Sequence, residues 1–330
     1  MAATVLQDIV FNNAFALYFH RAVTELSALV QSGIAAVDPR IAALCAEAGF
    51  GGQTVNLPFW NALDGDDEVT PDGEDIGVSP LTAGQDVAVI LRRSKAWGVT
   101  DLAVEIAGDD PMKTLADKLA NYWNRRRQKA LFSQLTGVFA NNVAENDSDL
   151  VLDISGETGD DALLSKDTLL YAAQLLGDAK GGLTAVAMHS MCETVLNTGN
   201  TGNLFKPADS PATLPTYNGR KIVMDDGCPY NPTTKVADIY LFGAGAVALN
   251  PVPSRRPFEV GRAPLSSTDL VVSRQAWISH LRGIKWNPAQ GVPAGATPTN
   301  AELADGANWS RVYDKKEIRV VKLRCKLAAS

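Results

Sequence analysis

The stretch from Asp109 to Asn141, DDPMKTLADKLANYWNRRRQKALFSQLTGVFAN, limits more than any other what this chain can fold into. Asp109 and Asp110 are N-cap residues, and Pro111 suits the first helical position, where its missing N–H costs nothing. Apolar residues recur at Met112, Leu115, Leu119, Tyr122, Trp123, Ala130, Leu131, Leu135 and Val138. Lys113, Asp117, Asn121, Asn124, Arg125 and Gln128 fall largely between them, which predicts an amphipathic helix. At about 1.5 Å per residue the rod is on the order of 40 Å long, well beyond the three or four turns of an ordinary globular helix. Something extended must lie against it.

The segments before it do not read as a self-sufficient domain. Asn13 can cap a helix with the apolar face Phe15, Phe19, Ala22, Leu26 and Leu29, ending near Gly33, and Asp38-Pro39 opens a second short helix, IAALCAEA. Two helices this small cannot bury such faces on each other. Thr54 to Asn61 and Gln85 to Thr100 have strand composition and predict a long hairpin. Its tip carries seven carboxylates, Asp64, Asp66, Asp67, Glu68, Asp72, Glu74 and Asp75, with no Lys or Arg until Arg92. A two-stranded ribbon is marginal alone in water, so it should find its partner surface outside its own subdomain. An EF-hand reading of the tip fails, because Val69 stands where the turn requires Gly and Asp75 replaces the bidentate Glu. The dense basic cluster Arg125, Arg126, Arg127 and Lys129 is the natural counterpart, and an intersubunit contact between tip and cluster is expected.

Composition excludes several classes. With 330 residues, 46% of them hydrophobic, the chain can bury a sizeable core, while its net charge of −7 leaves no basic arm to neutralise many phosphates. Cys45, Cys192, Cys228 and Cys325 form neither a CxxC nor a Cys/His metal pattern and read as free thiols. No positively charged region precedes an apolar run at the N-terminus, and no stretch reaches the roughly 18 apolar residues of a membrane span, so a soluble, unsecreted protein is expected.

After the long helix the pattern becomes α/β in miniature. Ser165 caps the helix KDTLLYAAQLLGD, LTAVAMHS and GRKIVMDD read as strands around a short helix MCETVLNTG, and VADIYLFGAGAVAL supplies one or two more strands. The loop 197–215 reads as exposed and mobile. Gly243-Ala-Gly245-Ala-Val-Ala248 matches a dinucleotide fingerprint, but Pro251 and Pro253 forbid the helix that binding needs, and a turn between strands is expected. His189 adjoins Ser190, yet adjacent residues rarely present both side chains to one site and no GxSxG elbow exists, so no enzyme activity and no cofactor is expected. The run SSTDLVVSRQAWISHLRGIKW is strand-rich. The closing strand EIRVVKLRCKL should pair with the strand after His280 or with one near Leu150.

The order of parts resembles the major capsid protein of tailed double-stranded DNA phages. VNLPFWNALDGDDEV, AWGVTDLAVEIAGDDPM, NYWNRRRQKALFSQLTGVF, VAMHSMCETVL and IYLFGAGAVAL look like one coat-protein group within that family, over Asn12 to Leu327. The resemblance implies an α+β tailed-phage capsid fold. Its parts would be an N-terminal arm (1–52), an extended β-hairpin loop (53–100), a peripheral subdomain (101–180 and 269–330) with the spine helix Pro111 to Phe139, and an axial α/β subdomain (181–268). It implies a structural protein whose main partner is itself, as hexamers and pentamers of an icosahedral shell enclosing DNA without sequence-specific binding. A scaffolding protein, a portal and a decoration protein are further implied partners, with assembly in the host cytoplasm and no membrane. An encapsulin-like compartment is the nearest alternative and an α/β enzyme a distant one. The tip from Asp64 to Gly84 contains no Lys, and Lys95 lies near the ribbon's base, so the self-crosslinking of some relatives is not expected.

Overall fold

A computed structural model describes residues 33–47, 52–63, 65–67, 69, 77–107, 111–198, 204–205, 216–217, 219–288 and 297–328. The helix expected after Asn13, the caps Asp109 and Asp110, and most of the loop 197–215 lie outside them. In chain order come β1 (Ala35–Ala36), α1 (Pro39–Glu47), β2 (Thr54–Trp60), β3 (Ala83–Thr100), α2 (Asp101–Ala107) and the long helix α3 (Pro111–Glu145). Next are β4 (Val151–Asp153), α4 (Lys166–Gln174), β5 (Leu183–Met188), α5 (Ser190–Thr198), β6 (Leu204–Phe205), β7 (Thr216–Tyr217), β8 (Arg220–Met224) and β9 (Tyr230–Asn231). Then follow β10 (Val236–Gly243), β11 (Val247–Val252), β12 (Phe258–Ala263), β13 (Thr268–Leu281), β14 (Ile284–Trp286), α6 (Asn300–Ala304), β15 (Trp309–Arg311) and β16 (Val320–Lys326).

The strands form two large sheets with the long helix against both. In the first, six-stranded sheet the order is β1-β11-β13-β3-β2, with β12 on β13. Here β3 has two partners in succession along its length: β2 from Trp60·Ala83 to Thr54·Val89, and β13 from Ile278·Ile90 to Thr268·Thr100, a strand outside the ribbon's own segment. Val89 and Leu91 join the core under α3, whereas Ala88 and Ile90 face the other way and are covered by Ile41 and Cys45 of α1. Burial on both faces explains the continuous apolar run VAVIL, which alternation alone does not.

The second, eight-stranded sheet runs β4-β16-β10-β5-β8-β7-β6, with β9 on β10. The closing strand β16 pairs parallel with β4, as one of the two expected alternatives had it, while the strand after His280 pairs with β15 instead. Its longer ladder is antiparallel to β10, from Val236·Lys326 to Phe242·Val320, a pairing the sequence did not suggest. The strands β11 and β12, which fall in the same sequence block as β5 to β10, belong to the first sheet.

The long helix begins at Pro111, as expected, but continues past Phe139 to Glu145. Asn141 and Asn142 are both buried, and Asn142 accepts from Leu150 N and donates to Asp149 Oδ1. Between Ala130 and Asn142 only Thr136 and Ala140 are exposed. Phe132 and Phe139 pack on Tyr240 of β10 with ring centroids 6.2 and 5.7 Å apart. Trp123 packs on Trp277 of β13. One glycine is needed here for close approach: a Cβ on Gly137 would sit 2.2 Å from the Leu303 carbonyl oxygen of α6.

Two local expectations hold at atomic detail. Ser165 and Thr168 form a reciprocal capping box at the start of α4, and within Gly243 to Ala248 the chain turns from β10 into β11, with Gly245 at φ +62°.

Candidate functional site

Pairing of β2 with β3 reaches Trp60·Ala83, and Asn61 adds one further backbone bond to Thr82. Beyond that, the ribbon's described residues 62–63, 65–67, 69 and 77–82 are all exposed. Its described tip residues Asp66 and Asp67 are exposed; Asp64, Glu68, Asp72, Glu74 and Asp75 lie outside the described residues. Trp60, Leu63, Val69, Val78 and Leu81 are also exposed, an apolar surface on a segment the subunit does not cover.

The basic cluster does not act as one face. Arg125, Arg126 and Lys129 are exposed, and Arg126 lies 5.0 Å from the Tyr122 ring centroid. Arg127 corrects the expectation of a four-residue patch. It turns inward, donates to Gln275 Oε1 at 2.8 Å and lies over the Trp277 ring at 5.7 Å, and burial pulls its pKa down. Spacing alone could have hinted at this, since Arg127 is four residues from the core residue Trp123.

Carboxylates of the same subunit also border the cluster. Arg125, Gln128 and Lys129 share a groove with Asp225 and Asp226, which follow β8. Burial raises the pKa of Asp225, whose Oδ1 accepts from Gly227 N at 2.8 Å. Asp226 is lowered, first by its bond from Ser190 and last by His189. The local field at Arg125 and Lys129 is therefore mixed rather than purely positive.

His189 Nδ1 accepts from Met191 N at 3.1 Å, and its Nε2 lies 3.7 Å from Asp226. His280 is buried against Asp86 at 2.8 Å, a pair 194 residues apart that no motif signalled. All four cysteines are free and buried, and burial raises every thiol, Cys192 to about 12. Among the described residues no group of three or more His, Cys, Asp and Glu could hold a metal ion. No described helix is long and apolar enough to cross a membrane.

Three comparisons with known proteins bear on this arrangement. The model of a family described as Gp13-like, major capsid protein 13-like, matches residues 112–318. The chain is 40% identical over 332 residues to the major capsid protein of Bacillus phage SPP1, covering 100% of both. Its fold is similar to that in the capsid of Ralstonia phage GP4, at 12% identity and TM-score 0.56 over 84% of each chain. It is likewise similar to a chain of Mycobacterium phage Bobi, at 13% identity and TM-score 0.53 over 92% of this chain and 91% of that one.

Proposed function

This chain belongs to the Gp13-like major capsid protein family, and from that premise we propose how its surfaces build a shell. It is a major capsid protein, a structural component of an icosahedral phage shell. The observation that carries this is 40% identity with no part of either chain left over. The subunits associate as hexamers and pentamers around double-stranded DNA, assembled in the host cytoplasm with a scaffolding protein, a portal and a decoration protein as partners. An acidic inner wall keeps the shell from adhering to the DNA it encloses. The parts are an arm at 1–52, an extended loop at 53–100, a peripheral subdomain at 101–180 and 269–330, and an axial subdomain at 181–268. Heterologous contacts that close into shells cover the ribbon and its apolar residues.

The test is assembly of the purified chain with its scaffolding protein, imaged by negative stain. Closed shells are expected, and boiling them in detergent should give one band near the 35.1 kDa subunit. A ladder of hexamer-sized species would show covalent crosslinking despite a tip without lysine.

Within that shell the acidic tip, from Asp64 through Asp66, Asp67, Glu68, Asp72 and Glu74 to Asp75, meets Arg125, Arg126 and Lys129 of a neighbour. Arg127 drops out because its guanidinium is already engaged inside the subunit. Exposed pairs contribute about 0 to 1 kcal/mol each, although the contact recurs in every subunit. Reversing Arg125, Arg126 and Lys129 to Glu should lower particle yield, and Asp66→Lys with Asp67→Lys should partly restore it. A yield that the second pair of changes leaves untouched removes the pairing.

A further inference from the structure

The two longest strands part company at one place. Beyond Ile278·Ile90, β13 runs on to Leu281 and turns at Gly283, φ +85°, into β14, whereas β3 continues outward with β2 as its ladder partner. Asp86 on β3 bridges the opening. It is 2% exposed, and three donors converge on its carboxylate: His280 Nε2–H at 2.8 Å and Gly283 N at 3.0 Å on Oδ2, and Val87 N at 2.9 Å on Oδ1. Tyr313 lies over this point, against Gly283 and edge-to-face with Phe59 of β2, their centroids 4.7 Å apart. The charged neighbours Arg282 and Asp38 are paired with each other at 3.0 Å.

A buried carboxylate is stable only while its donors hold it, and rotating it away would leave three buried donors with one acceptor fewer. The base of the ribbon therefore has one well-determined geometry. Outward of Asp86, from Leu57·Asp86 to Trp60·Ala83, the described ladder pairs β3 with β2 alone, and a two-stranded ribbon is soft. We propose that Asp86 and His280 are positioning residues for assembly, a clamp that sets the angle at which the extended loop leaves the sheet. This rests on the reading of that loop as an assembly element. No contact with a neighbouring subunit is asked of either side chain; they act through the ribbon.

Asp86→Asn tests the clamp, because an amide keeps one acceptor and adds two donors where donors already converge. His280→Leu removes the imidazole while keeping apolar volume, and His280→Gln restores an N–H that can reach the carboxylate. In dispersed full-length subunits, amides of residues 83–90 should exchange with deuterium about tenfold faster or more in Asp86→Asn and His280→Leu, with residues 119–139 unchanged. His280→Gln should lie close to the parent. The double change Asp86→Asn with His280→Leu should be less than additive, since both remove one interaction. In assembly the clamp variants should give shells of mixed diameter, while Val223→Ala, a core change in the other sheet, gives parental shells. Unchanged exchange at 83–90, additive effects, or parental shell diameters from both clamp variants would each overturn the proposal. Closed shells from a chain lacking the loop tip would instead overturn the reading of the loop.

Discussion

A subunit in which Asn-Gly replaces residues 62–81 stays soluble, unfolds in one cooperative thermal transition and forms no closed shells. The replaced segment adds nothing to the described core: Leu63, Val69 and Val78 are almost fully exposed, and the described ladder closes at Asn61 and Thr82. Asn-Gly is suited to the two-residue turn that joins such strands, because both positions require positive φ. Inward of the cut, Val55, Ala88, Val89, Ile90 and Leu91 keep β13, α1 and α3 as partners, so the apolar burial that holds the subunit is untouched. What goes is a charged tip and an apolar surface with no cover in the subunit. Calorimetry should return a melting temperature close to the parent's, and sedimentation should find capsomers or dispersed subunits. Closed shells from this variant, or its collapse into unfolded aggregate, would each show that the ribbon has another job.

Features written in adjacent residues were legible in the sequence, and features made by distant ones were not. Pro111 starts the long helix, Ser165 and Thr168 cap the next one, Pro251 forbids a cofactor helix, and the ribbon shows as two strand-like runs around an acidic turn. Each is set by backbone chemistry within a few positions. The long helix runs past the Phe139 end that the resemblance implied because Asn141 and Asn142 are buried there against Gly306, Leu150 and Asp149, contacts that leave no local signal. Its amphipathic reading was half right for a related reason. A helix packed on two sheets at once buries Phe132 and Phe139 toward β10 and Trp123 toward β13, so no single apolar stripe describes it.

The candidate site was the less legible part. Charge could nominate Arg125, Arg126, Arg127 and Lys129 together, but only the sheet beneath them shows Arg127 engaged with Gln275 and Trp277. Likewise, Asp86 reads as one more polar position near a strand start, and His280 as an isolated histidine. Their pairing depends on β3 and β13 lying side by side across more than 190 residues, and long-range pairing leaves no local trace.

The largest single-residue loss of stability is expected at Trp123. Its side chain is 2% exposed, its indole N–H donates to Ser273 Oγ at 3.0 Å, and its ring lies edge-on to Tyr122 at 5.2 Å and to Trp277 at 6.5 Å. Tyr122 in turn meets Trp97 of β3, so Trp123 and its neighbour together tie the long helix to both long strands of the first sheet. Trp123→Ala loses that contact surface, leaves a cavity between helix and sheet, and strands a buried serine hydroxyl. Such truncations cost about 3 to 5 kcal/mol, a large share of a domain's marginal stability. With an unfolding entropy of about 2 cal/mol/K per residue, a chain of this length should melt roughly 4 to 7 °C lower. Trp123→Phe keeps most of the packing and loses the hydrogen bond, so its cost should be smaller, about 1 to 3 kcal/mol. Calorimetry on dispersed subunits orders the two variants. A Trp123→Ala subunit that melts with the parent, or one less perturbed than Trp123→Phe, would mean that the helix is held to the sheet by other residues and that this aromatic cluster is not its anchor.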